Sequence, residues 1–261
     1  MADARAGALQ TLRADPAHTC LISDFDGTLS PIVDDHAAAR PLPGAVATLL
    51  ALCASYGRVA VVSGRPVAFL GERLELSTPL PPALQISGLY GLEWLEGDGR
   101  VRVAPAAEEW RDAVETAAGR AEAAAPRGVR VERKGLSVTL HWRQHPEGER
   151  WARGFASASA DGLGLAVHAA RRSVELRPPL PVDKGTAVTE LASGFAAACY
   201  LGDDIGDLPA FAALDALRDA GVSTVKVVAG SDEASPEVLA AADLVLPGPE
   251  AALAFLNELC C

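Results

Sequence analysis

The 261-residue chain has no apolar run approaching the roughly 20 residues that a bilayer-crossing helix needs. Its opening residues, Met1-Ala2-Asp3-Ala4-Arg5, lack the basic-then-apolar order of a secretory leader, so a soluble, cytoplasmic protein and no membrane partner are expected. Basic charge is scarce: 23 Lys and Arg stand against 34 Asp and Glu, a net charge of −11. That balance argues against a nucleic-acid backbone as partner and leaves small anions held in a local basic pocket. Cysteines are few, and the five present (Cys20, Cys53, Cys199, Cys260 and Cys261) are an odd number without metal-ligand spacing. Cys20, Cys53 and Cys199 lie in apolar runs where a small hydrophobe serves, so reduced thiols are expected. With 49% of its residues hydrophobic, the chain can bury one large core or two smaller ones.

Short apolar runs alternate with helix-like segments near the N-terminus: Cys20-Leu21-Ile22, the leucine-rich stretch Ala45 to Ala54, Val59-Ala60-Val61-Val62 and Leu84-Gln85-Ile86. Continuous rather than alternating apolarity marks strands covered on both faces, the habit of a parallel sheet. The pattern resumes with Ala198-Cys199-Tyr200-Leu201, Val225-Lys226-Val227-Val228 and Leu244-Val245-Leu246. Helices are expected between these runs at 185–193, 207–218 and 236–241. One α/β unit, 1–105 and 178–261, is therefore split by an insertion at 106–177. In the insertion Leu136, Val138, Leu140 and Trp142 alternate with Ser137, Thr139, His141 and Arg143, the period of a strand wet on one face. The segment parses as helix 107–124, strands 129–134 and 136–143, helix 147–159, and strands 164–169 and 173–177. This twice-repeated αββ unit would make a small sheet backed by two helices. The alanine run at 121–125 is expected on the solvent side of its helix.

The chemistry sits just after the buried strands. Ser23-Asp24-Phe25-Asp26-Gly27-Thr28-Leu29 places two carboxylates on alternate positions of an outgoing strand, and Gly27 lets the backbone turn there. One aspartate can attack a phosphate ester while the other carries the proton. An acidic helix-capping turn would use the same residue types. Ser63-Gly64-Arg65 can hold phosphate oxygens through a hydroxyl and backbone N–H groups, though alone it also reads as a helix cap. In Val182-Asp183-Lys184-Gly185, a lysine in the first turn of a helix opposes the helix dipole unless an anion receives it. Asp203, Asp204 and Asp207 in Gly202-Asp203-Asp204-Ile205-Gly206-Asp207 repel one another unless a divalent cation neutralises them. Ligands that are all oxygen suit magnesium.

In this order the four motifs resemble the haloacid dehalogenase-like phosphatase superfamily, whose pattern is Asp-x-Asp-Gly-Thr, then Ser or Thr, then Lys, then Gly-Asp-Asp-x-x-Asp. The resemblance implies a Rossmann-like parallel-sheet hydrolase core with an inserted α+β (αββαββ) cap that selects the substrate. It implies Asp24 as the nucleophile forming an aspartyl-phosphate, Asp26 as general acid and base, and Ser63 and Lys184 as phosphate holders, with Gly64 and Arg65 beside them. Magnesium would be bound by Asp24, the Asp26 carbonyl and Asp203, with Asp204 and Asp207 completing or supporting the shell.

Glu132-Arg133-Lys134-Gly135-Leu136-Ser137 through His141-Trp142-Arg143, and Glu175-Leu176-Arg177-Pro178, are similar to trehalose-6-phosphate phosphatases. That family carries Glu-x-Lys-x-x-Ser-x-x-x-His-Tyr-Arg and Glu-x-Arg-Pro there, and Pro31-Ile32 also fits it. The resemblance runs from about 20 to 257 and implies that Glu132, Lys134 and Glu175 contact the sugar. Taken alone, Glu132 and Lys134 read as an ion pair on a solvated strand face. His141 and Arg143 read either as cleft lining or as the polar face of an edge strand. Arg177 is expected to order the return to the core, and Pro105 with Pro178-Pro179-Leu180-Pro181 to confine bending to two short linkers near 104–106 and 177–182. The family's Gly-Asp-Asp-x-Thr-Asp-Glu and Gly-x-His-Gly are here Gly202-Asp203-Asp204-Ile205-Gly206-Asp207-Leu208 and Gly88-Leu89-Tyr90-Gly91. These changes touch sugar choice more than hydrolysis. The expected substrate is trehalose 6-phosphate; sucrose phosphate, glucosylglycerol phosphate or mannosyl phosphoglycerate would use the same chemistry. A non-catalytic sugar-phosphate sensor would lack a nucleophile or metal ligand, and none is missing. A monomer is expected, with a trehalose-phosphate synthase as candidate partner by pathway.

Overall fold

The computed structural model describes residues 2–33, 35–170, 172–231 and 234–260. Cys261, one of the thiols considered above, lies outside the described residues. The strands are β1 Thr19–Ser23, β2 Arg58–Val62, β3 Leu84–Gly88, β4 Glu93–Leu95, β5 Val101–Val103, β6 Arg130–Arg133, β7 Val138–His141, β8 Ala166–Ala170, β9 Ser173–Arg177, β10 Ala197–Gly202, β11 Ser223–Gly230 and β12 Leu244–Pro247. The chain divides into two compact units, 1–102 with 182–261, and 103–181. The divisions fall a few residues from those expected, between Arg102 and Val103 within β5 and between Pro181 and Val182 after the proline run.

The first unit is an eight-stranded sheet in the order β12-β11-β10-β1-β2-β3-β4-β5. β12, β11, β10, β1, β2 and β3 pair in parallel. β1 and β10 are buried along their whole length, which is why they read as unbroken apolar runs. Two hydrophobic clusters cover the faces. One contains Leu21, Phe25, Val61, Ile86, Leu201 and Phe255, and the other Ile22, Val62, Val188, Tyr200 and Phe211. β4 runs antiparallel to β3, so the parallel sheet carries a short hairpin on its edge that the apolar pattern does not show. The Gly97-Asp98-Gly99 turn was its signal. The helices between the C-terminal strands are Lys184–Ala192, Leu208–Asp219 and Pro236–Ala241, and a first helix spans Ala2–Arg13.

β1 lies between β10 and β2, and Ser23 is level with both Leu201 and Val61. The residues that follow these strands therefore emerge side by side at the carboxyl edge of the sheet, where open α/β folds bind ligands. This register, rather than sequence proximity, gathers Asp24, Ser63 and Asp203.

The second unit is a four-stranded sheet, β6-β7-β9-β8, antiparallel throughout. Val138, Leu140, Val174 and Leu176 share a cluster with Val114, Ala117, Ala121, Ala152 and Ala156 of the helices Arg111–Ala124 and Glu149–Leu163. Each fully buried Leu or Val contributes roughly 1.5–3 kcal/mol. Four expectations change. The first helix is broken into Pro105–Glu108 and Arg111–Ala124. Ala121 is buried, since it repeats at helical spacing from Val114, Ala117 and Ala118. The second helix continues to Leu163 and ends where Gly164 adopts the left-handed conformation suited to a helix stop. The strand expected at 136–143 contracts to β7, because Gly135 turns at φ 78° and Lys134 N–H closes the hairpin on Ser137 O at 2.9 Å.

Candidate active site

Asp24 follows β1, and its N–H donates to Leu201 O at 2.8 Å, tying the start of the motif to β10. Its side chain is buried, and Lys184 Nζ lies 3.0 Å from its Oδ2. The same ammonium donates to Asp207 Oδ1 at 2.6 Å. Lys184 is set by the start of its helix, where Asp183 and Thr186 close a reciprocal capping box. Burial works against the lysine's charge, but Asp207 and Asp24 together hold its pKa well above the ordinary value. Burial pushes the Asp24 carboxyl well up; Lys184 pulls it down, and Asp207 and Asp26 add to the rise.

Asp207 is fully buried and fully engaged. Its Oδ1 accepts Lys184 Nζ and Tyr200 Oη, both at 2.6 Å. Its Oδ2 accepts the N–H groups of Asp203 at 2.8 Å and Asp204 at 3.1 Å. Asp207, expected to complete or support a cation's shell, has its charge stabilised here by a lysine, a phenol and two amides. Tyr200 was not singled out in the sequence, although a hydroxyl within a buried apolar strand was a usable signal. Asp204 is turned to a local task, its Oδ1 accepting Gly206 N–H at 2.8 Å to cap the turn Ile205–Asp207.

Asp203 differs from both. Its Oδ1 is buried and has no hydrogen-bond partner. Burial, then Asp24 and Asp207, push its carboxyl up to about 10. Gly27 makes room for it: with φ at +76°, a Cβ there would lie 2.0 Å from Asp203 Oδ2. Asp24, Asp203 and Asp207 each offer a carboxylate oxygen within 4.8 Å of the others. An orphaned buried oxygen in an all-oxygen set fits a hard divalent cation. Both Asp207 oxygens already accept hydrogen bonds, whereas Asp203 Oδ1 accepts none.

Asp26 is held by Arg65 through Nε to Oδ2 at 2.7 Å and Nη2 to Oδ1 at 2.9 Å. Arg65 lies over the Phe69 ring at 4.6 Å, and Phe69 meets Phe25 edge to face at 6.1 Å. The arginine read as a phosphate holder is thus paired with the second aspartate of the motif. The contact joins loops 39 residues apart and was not legible from spacing. Ser63 is buried, and its Oγ accepts Arg65 N–H at 3.1 Å.

The residues singled out in the insertion form a second constellation within their own unit. Glu132, Thr139, Glu175 and His168 are level across β6, β7, β9 and β8. Ser137 Oγ donates to Glu175 Oε1 at 2.6 Å, and Lys134 Nζ reaches the same oxygen at 3.4 Å. Glu132 pairs with His141 Nε2 at 2.7 Å. Glu132 and Lys134, which taken alone read as an ion pair with each other, are instead each paired across the sheet. β7 is an interior strand, which removes the edge-strand reading of His141. Arg143 lies beyond the end of β7.

A carboxylate with a lysine against it, a second carboxylate, a hydroxyl and an acidic pocket at the carboxyl edge of a parallel sheet define a haloacid dehalogenase-like hydrolase fold. One solved structure of similar fold is the C-terminal domain of C. albicans trehalose-6-phosphate phosphatase. It superposes with a TM-score of 0.78 at 22% identity and covers 98% of this chain and 96% of that one. The trehalose-phosphatase family model matches residues 22–244, and the chain belongs to that family. Trehalose-phosphate phosphatase of Mycobacterium avium is 35% identical over 253 residues, 93% of this chain and 62% of that protein. The M. marinum protein of the same description is 38% identical over 212 residues, 77% of this chain and 52% of that one. The chain thus spans between about half and three fifths of the length of these relatives. Among the described residues no helix is long and apolar enough to cross a membrane.

Proposed function

We propose that this chain is a magnesium-dependent phosphatase that hydrolyses trehalose 6-phosphate to trehalose and phosphate. The observation carrying the reading is the buried Asp24 carboxylate, fixed 3.0 Å from Lys184 beside the unpartnered Asp203 Oδ1. This is a nucleophile in a pocket already set to receive dianionic charge. Asp24 Oδ attacks phosphorus while the bond to the sugar oxygen breaks, and Asp26, as the acid, gives that oxygen its proton. Asp26, now the base, takes a proton from water as the water oxygen attacks phosphorus and the bond to Asp24 breaks. Arg65 orients Asp26 with two N–H donors. Lys184 and the Ser63 hydroxyl hold phosphoryl oxygens.

Asp24, Asp203 and the carbonyl of Asp26 would hold magnesium, which when bound offsets negative charge on the phosphoryl group. Glu132, Lys134 and Glu175 supply acceptors and a donor for sugar hydroxyls, which supports a sugar phosphate rather than a smaller ester. The test is phosphate release from trehalose 6-phosphate with magnesium, run beside glucose 6-phosphate, sucrose 6-phosphate and an Asp24→Asn variant. Release from the trehalose ester in preference to the others, abolished by the substitution, is expected. Equal or faster release from another ester discards the trehalose assignment, and no release from any discards the phosphatase.

A further inference from the structure

Beyond β3 the chain makes a turn that few sequences tolerate. Leu89 at φ 48°, Tyr90 at φ 63° and Gly91 at φ 114° are successive left-handed residues, and two of them carry bulky side chains. Such backbone persists only where its surroundings hold it, and it concentrates at working sites. Here the surroundings are the Ser63 loop. Ser63 N–H donates to Ser87 O, Tyr90 N–H to Ser63 O and Leu89 N–H to Arg65 O, each at 3.0 Å. On the other side, a Cβ on Gly91 would meet Val182 Cγ1 at 3.1 Å and Ala187 Cβ at 3.5 Å, flanking Lys184. The turn is therefore wedged between the two elements that carry Ser63 and Lys184.

The result is the seating of one side chain. The half-buried Tyr90 ring lies directly over Gly64: a Cβ there would be 2.6 Å from Tyr90 Oη and 2.7 Å from Cζ. Gly64 is thus needed because the phenol occupies the place of its side chain. Consecutive Cα atoms are about 3.8 Å apart, so a hydroxyl touching Gly64 lies beside whatever anion Ser63 and Gly64 hold.

We propose that Tyr90 is a phosphate-binding residue whose hydroxyl donates a hydrogen bond to the bound phosphoryl group at the Ser63 side of the pocket. The proposal rests on the phosphatase reading only for the identity of the anion. The strained turn is the device that brings the phenol there, and the side chain, not the backbone, is its purpose.

Inorganic phosphate is the probe, titrated calorimetrically with magnesium into the wild-type chain and three variants. Tyr90→Phe removes only the hydroxyl and is expected to weaken the phosphate Kd about tenfold, or about 1.4 kcal/mol. It is also expected to raise KM for p-nitrophenyl phosphate by a similar factor with little change in kcat, the mark of a contact made in both ground and transition states. Tyr90→His keeps an N–H donor and should recover most of the loss. Tyr90→Asn tolerates the left-handed backbone and should lose phosphate affinity while Tm is unchanged or higher. An unchanged Kd and KM in Tyr90→Phe overturns the proposal. So does a fall of several degrees in the Tm of Tyr90→Asn with phosphate affinity intact, which would make the ring a packing element. A wild-type chain that binds phosphate but hydrolyses no ester defeats the phosphatase reading and leaves this contact standing; a wild-type chain that binds no phosphate overturns it.

Discussion

Replacing Lys184 with methionine removes the one ammonium between two buried carboxylates while keeping much of the side-chain volume. That ammonium lies 2.6 Å from Asp207 and 3.0 Å from Asp24. At an effective dielectric constant of about 20 the shorter distance corresponds to an attraction of about 6 kcal/mol with Asp207, and Asp24, whose carboxyl burial pushes up, adds less. Desolvation of the ammonium offsets a large part, and truncating one partner of a buried pair typically leaves a net loss of about 3–5 kcal/mol. At roughly 2–4 °C per kcal/mol for a chain of this size, Tm should fall by about 10 °C. Scanning calorimetry in EDTA reads that fall directly. Magnesium should restore part of it, because a cation near Asp24 and Asp203 replaces some of the missing positive charge, yet phosphate release should stay down by about 10³-fold. A Tm within two or three degrees of wild type in EDTA would refute the argument, since it would mean that Asp207 does not carry charge against this lysine.

Asp203 gives a pH dependence whose sign is fixed. Its folded value is pushed from 3.8 to about 10, so its stabilising protonation is complete below about pH 4 and is lost as pH rises through about 10. In EDTA, Tm should decline across that window. Asp203→Asn should flatten the decline and abolish the Tm increase caused by magnesium, and an equally steep decline in the variant would exclude Asp203 as its source. Gly27→Ala should abolish turnover and cost at least about 1–2 kcal/mol from the left-handed backbone alone, read by urea denaturation; an active variant would show that Asp203 need not approach Gly27. Glu175→Gln should raise KM for trehalose 6-phosphate about tenfold, the scale of one hydrogen bond to a charged group, and leave p-nitrophenyl phosphate unaffected. Equal effects on both esters would remove Glu175 from sugar binding.

The strands carrying the site were legible because burial on both faces leaves a signature that local reading detects: Val59 to Val62 and Ala198 to Leu201 are unbroken apolar runs ending in polar motifs. The β4–β5 hairpin was not, since strands of three residues are too short for a period to show. Within the site, residue types were readable and partners were not. Asp26 and Arg65 are brought together by neighbouring strands, and nothing in either motif announces the pairing. Asp207 reads as one more acid in a metal motif, and only the fold reveals that a lysine, a phenol and two amides already surround it. In the second unit, Glu132 and Lys134 read as groups for sugar hydroxyls or, taken alone, as an ion pair, and the partners the fold gives them, His141 and Glu175, lie across the sheet.

The cysteines give the molecule an internal clock. Cys20 and Cys199 lie in adjacent central strands with no solvent access. Burial pushes the Cys20 thiol up to about 12 and the Cys199 thiol higher still, so neither reaches the reactive thiolate form while the sheet is intact. Cys260, by contrast, is exposed. Labelling with an alkylating reagent should therefore separate an immediate reaction at the surface from a slow one at Cys20 and Cys199, whose rate is that at which the central sheet opens. The protein's kinetic lifetime can thus be timed by mass spectrometry on the otherwise unmodified chain, in the presence or absence of any ligand.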